Sequence, residues 1–166
     1  HPSAFAHEQE TLELLRARLP DAPPFRAWSN FEFIAEDGSI NEVDALVAST
    51  DRVYLVEIKH WSGSIAGNQT TWAITAPNGR LRYEENPLLL ANRKAKKLKS
   101  LLGRQPAFKN GKVPYIQAAV FLSWPQAVLR LDEVAAQHVY LRPDADRKGS
   151  PSIIDLIQGR ATESEG

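Results

Sequence analysis

Three residues whose side chains can do chemistry, Asp44, Glu57 and Lys59, lie near one another in the sequence. Two carboxylates held close together repel each other unless a positive charge lies between them. A divalent cation can supply that charge, because Mg²⁺ is typically bound by one or two carboxylates together with water and substrate phosphate. A neighbouring lysine can then position the attacking water and stabilise developing charge. These residue types predict a site for hydrolysis with Mg²⁺ or Mn²⁺, in which Asp44 and Glu57 bind the metal.

Two apolar segments that flank the short polar segment 49–52 must bring these side chains together. Such a pattern is typical of a β-hairpin. Counting outward from a loop at 49–52 places Asp44 directly opposite Glu57. The same count places Glu42 opposite Lys59, and Lys59 shares the face of Glu57 because side chains alternate along a strand.

A purely structural interpretation of this hairpin requires no active site. Glu42 and Lys59 would form a cross-strand ion pair, and Asp44 and Glu57 would face solvent. The neighbouring residues argue against it, because both strands carry apolar side chains on both faces. Buried acids require a partner, so we expect Asp44 and Glu57 to belong to a functional site.

The wider pattern resembles a known family. The strings EVD at residues 42–44, VEIKHWSG at 56–63 and NP at 86–87 resemble, in order and spacing, the nuclease-related domain (NERD) family of the PD-(D/E)XK nuclease superfamily. The resemblance spans roughly residues 7–122, which is most of the chain.

This resemblance implies an α/β, restriction-endonuclease-like fold, with a mixed central sheet flanked by helices on both sides. Strands that alternate with helices fit the same class. The implied activity is metal-dependent hydrolysis of DNA phosphodiester bonds. A glutamate of the first helix often joins the site in this family. Glu8 lies on the apolar stripe of the helix predicted over residues 4–19, and Glu10 is the substitute. The alternative is an acid that faces solvent at the end of the helix.

The second predicted helix starts at Asn86-Pro87, with Asn as the N-cap and Pro at the first helical position. Family members commonly carry a Gln three residues after this Pro, where the present chain has Leu90, and Asn92 or Lys94 could replace the missing polar group. The helix also carries a run of lysines that either faces solvent or neutralises a phosphate backbone. These candidate nucleic-acid-binding residues are Lys94, Lys96, Lys97 and Lys99.

The remaining segments are assigned from apolar periodicity and turn residues. We predict a strand at 25–34, a glycine-punctuated connection at 61–67, a hairpin from 69–75 and 80–84, a central strand at 113–122, a short strand or turn at 128–131, a strand at 138–141 and a last helix from 150 to 157.

The composition bounds the class of protein. A chain of 166 residues with 43% hydrophobic and 24% charged residues fits one globular domain, which we predict over residues 4–160 between polar ends at 1–3 and 161–166. The absence of cysteine excludes disulfides and a cysteine nucleophile. No apolar run is long enough to span a bilayer, and a cytoplasmic location is expected. The formal net charge of zero counts against strong non-specific binding of nucleic acid.

The alternative function is a non-catalytic module. The resemblance implies that such a domain can bind nucleic acid or a partner within a larger signalling or defence protein, joined to kinase or helicase segments. The absence of methionine leads us to expect that the chain is part of a longer protein. Intact Asp44, Glu57 and Lys59 favour a Mg²⁺-dependent DNase, whereas Leu90 and the zero net charge favour the module. The sequence leaves the oligomeric state open.

Overall fold

A computed structural model of the protein describes residues 2–20, 25–49, 52–147 and 149–158; at residues 2–6 and 8 the description covers the backbone alone. The helices are α1 (Pro2–Arg18), α2 (Pro87–Gly103) and α3 (Ile153–Ile157), with a 3₁₀ turn at Pro106–Phe108. The strands are β1 (Arg26–Ile34), β2 (Ile40–Ala48), β3 (Val53–Lys59), β4 (Ser64–Gly67), β5 (Thr71–Thr75), β6 (Leu81–Glu85), β7 (Ile116–Leu122), β8 (Val128–Leu131) and β9 (Val139–Leu141).

The strands form two mixed sheets. The first sheet has five strands in the order β1-β2-β3-β7-β9, in which β1 to β3 are antiparallel and β3, β7 and β9 are parallel. The second has four strands in the order β6-β5-β4-β8 and packs against β7 and β9. Apolar side chains of α1 and α3 cover one face of the first sheet, and those of α2 cover the other. The predicted α/β class is confirmed, and the architecture is consistent with a restriction-endonuclease-like fold. Within the described residues no helix is both long and apolar enough to cross a membrane.

The central hairpin, β2–β3, has its loop where the sequence predicts it. Ala48 pairs with Val53, and the ladder continues to the pair of Ala45 with Val56. The ladder ends there, so the predicted pairs beyond it, Asp44 with Glu57 and Glu42 with Lys59, are not part of it.

Strand β2 is irregular at Asp44. Its pairing with β1 is interrupted at Asn30 and Asp44, and Asn30 has a positive φ of 50°. Val43 packs on the α2 side of the sheet, whereas Ala45 packs on the α1 side. Regular alternation would place both on one face. The strand therefore changes its facing at Asp44, where the sequence pattern predicts a continuous strand.

The segment predicted as a glycine-punctuated connection contains a strand. β4 pairs antiparallel with β5 and parallel with β8, so the ambiguous segment 128–131 is also a strand. Gly63 has a φ of 95°, and a Cβ there would overlap the backbone carbonyl oxygen of Thr75. The glycine marks a close approach between chain segments.

Helix α2 begins as predicted. The Asn86 side chain accepts a hydrogen bond from the Leu88 N–H at 2.9 Å, and Pro87 occupies the first turn. Helix α3 starts later than predicted, because the capping box formed by Ser152 and Asp155 sets its first turn. Its last residue, Ile157, is the predicted one.

Candidate active site

The candidate site is built on the carboxyl-terminal end of β3, which lies between β2 and β7 in the first sheet. Glu57 stands beside Val120 of the parallel strand β7, and its exposed fraction is 4%. An ionised carboxylate buried to this degree requires a counter-charge. The alternative in which Glu57 simply faces solvent is therefore wrong.

Lys94 of α2 supplies the counter-charge. Its Nζ lies 2.6 Å from Oε1 of Glu57, and the two side chains are 11% and 5% exposed. Lys94 lies within one helical turn of Ala91 and Leu98, both of which are buried against the sheet. Lys94 thus lies on the inner face of α2, although in the sequence it belongs to a run of lysines predicted to face solvent or a phosphate backbone. The helical spacing of Lys94 from Ala91 and Leu98 could have predicted this inner position.

Asp44 faces the same cluster. It is partly buried, and Oδ2 accepts a hydrogen bond from the backbone N–H of Ile58 at 2.8 Å. Burial raises the pKa of Asp44, and the negative charge of Glu57 raises it further. The hydrogen bond from Ile58 and the positive charges of Lys94 and Lys59 act in the opposite direction. Two carboxyl groups and two lysines therefore interact at the end of β3.

Lys59 is held beside an aromatic surface. Its Nζ lies 5.6 Å from the ring centre of Trp61, and the guanidinium of Arg82 lies 5.8 Å from the same ring. Trp61 makes an edge contact with the buried Trp72, with 6.3 Å between ring centres. A cation–π contact of this kind restrains a lysine without neutralising its charge. Trp61 thus packs against the core of the second sheet and supports Lys59.

The donor set can be compared with the needs of a divalent cation. No group of three or more His, Asp or Glu side chains among the described residues is arranged to hold a metal. Mg²⁺ needs fewer protein ligands, since water and substrate phosphate complete its coordination. Asp44 and Glu57 fit that requirement, and a cation beside Asp44 would offset the burial and the charge of Glu57 that raise its pKa. Binding at Oε1 of Glu57 would compete with Lys94, which already holds that atom.

Of the two first-helix acids, Glu10 lies outside this cluster, and the side chain of Glu8 is not among the described residues. The backbone of Glu8 is in α1, but its side chain is beyond the described part of the chain, so its role as an auxiliary acid stays a prediction. Glu10, the predicted substitute, is 61% exposed and pairs with Arg142 at 3.2 Å. Glu10 is thus engaged by the segment that follows β9.

The predicted lysine run separates in space. Lys97 pairs with Asp37 at 3.2 Å, and the Nζ of Lys99 lies 5.4 Å from the ring centre of Tyr115. Lys96 is exposed. Only Lys94 of the four reaches Glu57 among the contacts of the described residues. Leu90, which replaces the expected Gln, is 38% exposed.

Together, the fold and the carboxylate–lysine cluster define an α/β protein of restriction-endonuclease-like architecture with a polar site at the end of its central strands. A family model described as "Nuclease-related domain" (NERD) matches residues 3–123. The chain therefore belongs to the NERD family, and its placement in the PD-(D/E)XK superfamily is consistent with that membership.

A relative in Streptomyces coelicolor, described as "Probable kinase PglW", is 50% identical to this chain over 107 residues. That alignment covers 64% of this chain and 7% of the relative, so the aligned region spans a small part of that relative's length. No solved structure matches the chain.

Proposed function

We propose that this domain is a metal-dependent nuclease that hydrolyses phosphodiester bonds in DNA. The observation that carries the proposal is the convergence of Asp44, Glu57, Lys59 and Lys94, delivered by three separate elements, β2, β3 and α2. Charged groups that are brought together and partly buried in this way are concentrated at functional sites.

Each residue has a distinct role in the proposed reaction. Asp44 and Glu57 would hold Mg²⁺ or Mn²⁺, which supplies Lewis acidity and an acidic bound water when present. The contact with Trp61 does not neutralise the charge of Lys59, so Lys59 can orient the attacking water and stabilise charge on the phosphate. Lys94 holds the Glu57 side chain in place before substrate binds, and it can then face a phosphate oxygen.

The test is nicking of plasmid DNA with Mg²⁺ or Mn²⁺, combined with calorimetry for metal binding. Asp44→Asn and Glu57→Gln should each abolish cleavage, because each removes a charged ligand from a site with few ligands. Glu57→Gln is preferable to Glu57→Ala. Truncation would leave the buried Lys94 without any partner for its Nζ, whereas Gln keeps an oxygen that can accept from it.

Lys59→Ala should keep metal binding and lose rate, since its role concerns the water and the transition state. Glu42→Gln is the matched control. Because Glu42 is an exposed acid on β2, this variant should cleave DNA normally. If the unmutated domain neither binds metal nor cleaves DNA, the enzyme is excluded. If Asp44→Asn cleaves normally, the site is placed wrongly even if the domain is a nuclease.

The second candidate is a non-catalytic module of a longer protein. Two observations favour it: Lys94 already occupies an oxygen of Glu57, and the chain spans 7% of its Streptomyces relative. In that case the buried ion pair is structural, and the domain binds DNA or a neighbouring domain of its parent chain, in the cytoplasm. A domain that binds DNA with equal affinity in EDTA and Mg²⁺, without cleavage, would support the module.

A further inference from the structure

A concave site lies at the same edge of the first sheet. Because β3, β7 and β9 are parallel, their carboxyl ends meet at one edge, and α1 lies over the residues that follow them. A cavity of about 260 Å³ opens there, lined by His7, Glu10, His60, Trp124, Gln126 and Arg142. Crevices beyond the carboxyl ends of parallel strands are the usual ligand positions in α/β sheets.

Three of the seven residues that line the cavity carry aromatic rings. The rings of His7 and His60 are stacked, with centres 4.1 Å apart and planes inclined by 21°. Trp124 presents its edge to His60 at 5.1 Å. Burial, and then the neighbouring His7, lower the pKa of His60, which favours its uncharged form. A cavity below the ~300 Å³ typical of drug-sized ligands fits a single ring system.

The charges in the cavity disfavour an anionic ligand. Arg142 is already paired with Glu10 at 3.2 Å and with Asp144 at 3.0 Å. A phosphate would have to compete with both carboxylates for this guanidinium. An uncharged planar ring with polar edges meets no such competition. Gln126 is exposed at the rim, where its amide can donate to and accept from such an edge.

We propose that this pocket binds one nucleobase of a single-stranded nucleic acid whose backbone runs past Asp44 and Glu57. The inference rests on the proposed function for the origin of that strand. His60 directly follows Lys59, and consecutive Cα atoms are about 3.8 Å apart. A strand that places a phosphate beside Lys59 can therefore lay a neighbouring base across the sheet edge against His7 and Trp124. Stacking on such rings tolerates every base.

The first experiment measures binding of a fluorescein-labelled oligothymidylate by anisotropy, in EDTA so that no cleavage occurs. His7→Ala should weaken binding about 5- to 150-fold, the range that one base–aromatic stack contributes. Gln9→Ala is the matched control, because Gln9 is an exposed residue on the same helix, and it should bind normally. Trp124 is a poorer first choice, since it also packs against the core of the second sheet.

The second experiment moves a single abasic position along the oligonucleotide. One position should weaken binding by the unmutated protein and have no effect on His7→Ala, because the stack is already lost there. This assay on the unmutated protein decides the matter even if a variant folds poorly. The pocket assignment is overturned if no position is special, if His7→Ala binds normally, or if the protein does not bind single-stranded DNA.

The two proposals fail separately. Binding in EDTA does not depend on cleavage, so a protein that shows the abasic effect without nicking DNA refutes the nuclease and retains the pocket. A protein that nicks DNA through Asp44 and Glu57 and shows no abasic effect refutes the pocket and retains the nuclease.

Discussion

The ion pair between Glu57 and Lys94 predicts a large loss of stability in Lys94→Met. Methionine keeps an unbranched side chain and removes the charge, which leaves Glu57, only 5% exposed at its side chain, without its partner. Removing one member of a buried ion pair costs about 3–5 kcal/mol. The negative charge of Asp44 adds to that cost. For a domain of this size ~1 kcal/mol corresponds to about 2–4 °C, so Tm should fall by roughly 6–20 °C.

The assay is thermal unfolding followed by circular dichroism, at neutral pH and in EDTA. Lys96→Met is the matched control, because Lys96 is exposed on the same helix and its replacement should change stability by less than about 0.5 kcal/mol. The double variant Glu57→Gln/Lys94→Met should recover much of the loss, since no buried charge is then left unpaired. If Lys94→Met has the same Tm as the unmutated protein, water reaches Glu57. The inference that the site depends on an enclosed cluster is then wrong.

Three further outcomes follow from the structure. Because folding raises the pKa of Asp44, its stabilising contribution is complete below the ordinary carboxyl pKa and is lost as pH rises through the raised value. The Tm advantage of Asp44→Asn in EDTA should therefore grow from acid to neutral pH, and a constant difference would contradict the shift. Gly63→Ala should cost more than about 1 kcal/mol in urea unfolding. Gly79→Ala should cost less, since both glycines have positive φ but a Cβ meets backbone only at Gly63, and equal losses would refute that clash. Replacing Lys96, Lys97 or Lys99 by Gln should reduce the salt slope by about 0.9 per phosphate contact if these lysines contact DNA. An unchanged slope would show that they do not contact phosphate.

The features that the sequence predicts well are set by local chemistry. The polar residues of the hairpin loop fix the pair of Ala48 with Val53. The Asn86-Pro87 start of α2 follows from a side chain that caps its own helix. Both signals lie within a few residues of the structure they specify, so they need no knowledge of the rest of the fold.

The features that the sequence does not reveal depend on distant elements. β4 exists because β5 and β8 pair with it, while its own residues suggest a loop. The change of facing at Asp44 coincides with Asn30 on another strand. Lys94 shows its inner position by helical spacing, but its ion pair requires Glu57 to arrive from β3, 37 residues earlier in the chain.

The parallel half of the first sheet explains why so many polar side chains meet at one edge. The hairpin alone delivers Asp44, Glu57 and Lys59. Pairing of β3 with β7 adds Ser123, whose hydroxyl oxygen lies 2.9 Å from Nδ1 of His60 and whose N–H bonds to the carbonyl oxygen of Lys59 at 2.9 Å. Lys59 is thus held by its backbone at the junction of the two regions, the charged cluster against α2 and the aromatic cavity beneath α1. A change that shifts this junction should therefore perturb both regions together, whereas Lys94→Met and His7→Ala should each perturb only one.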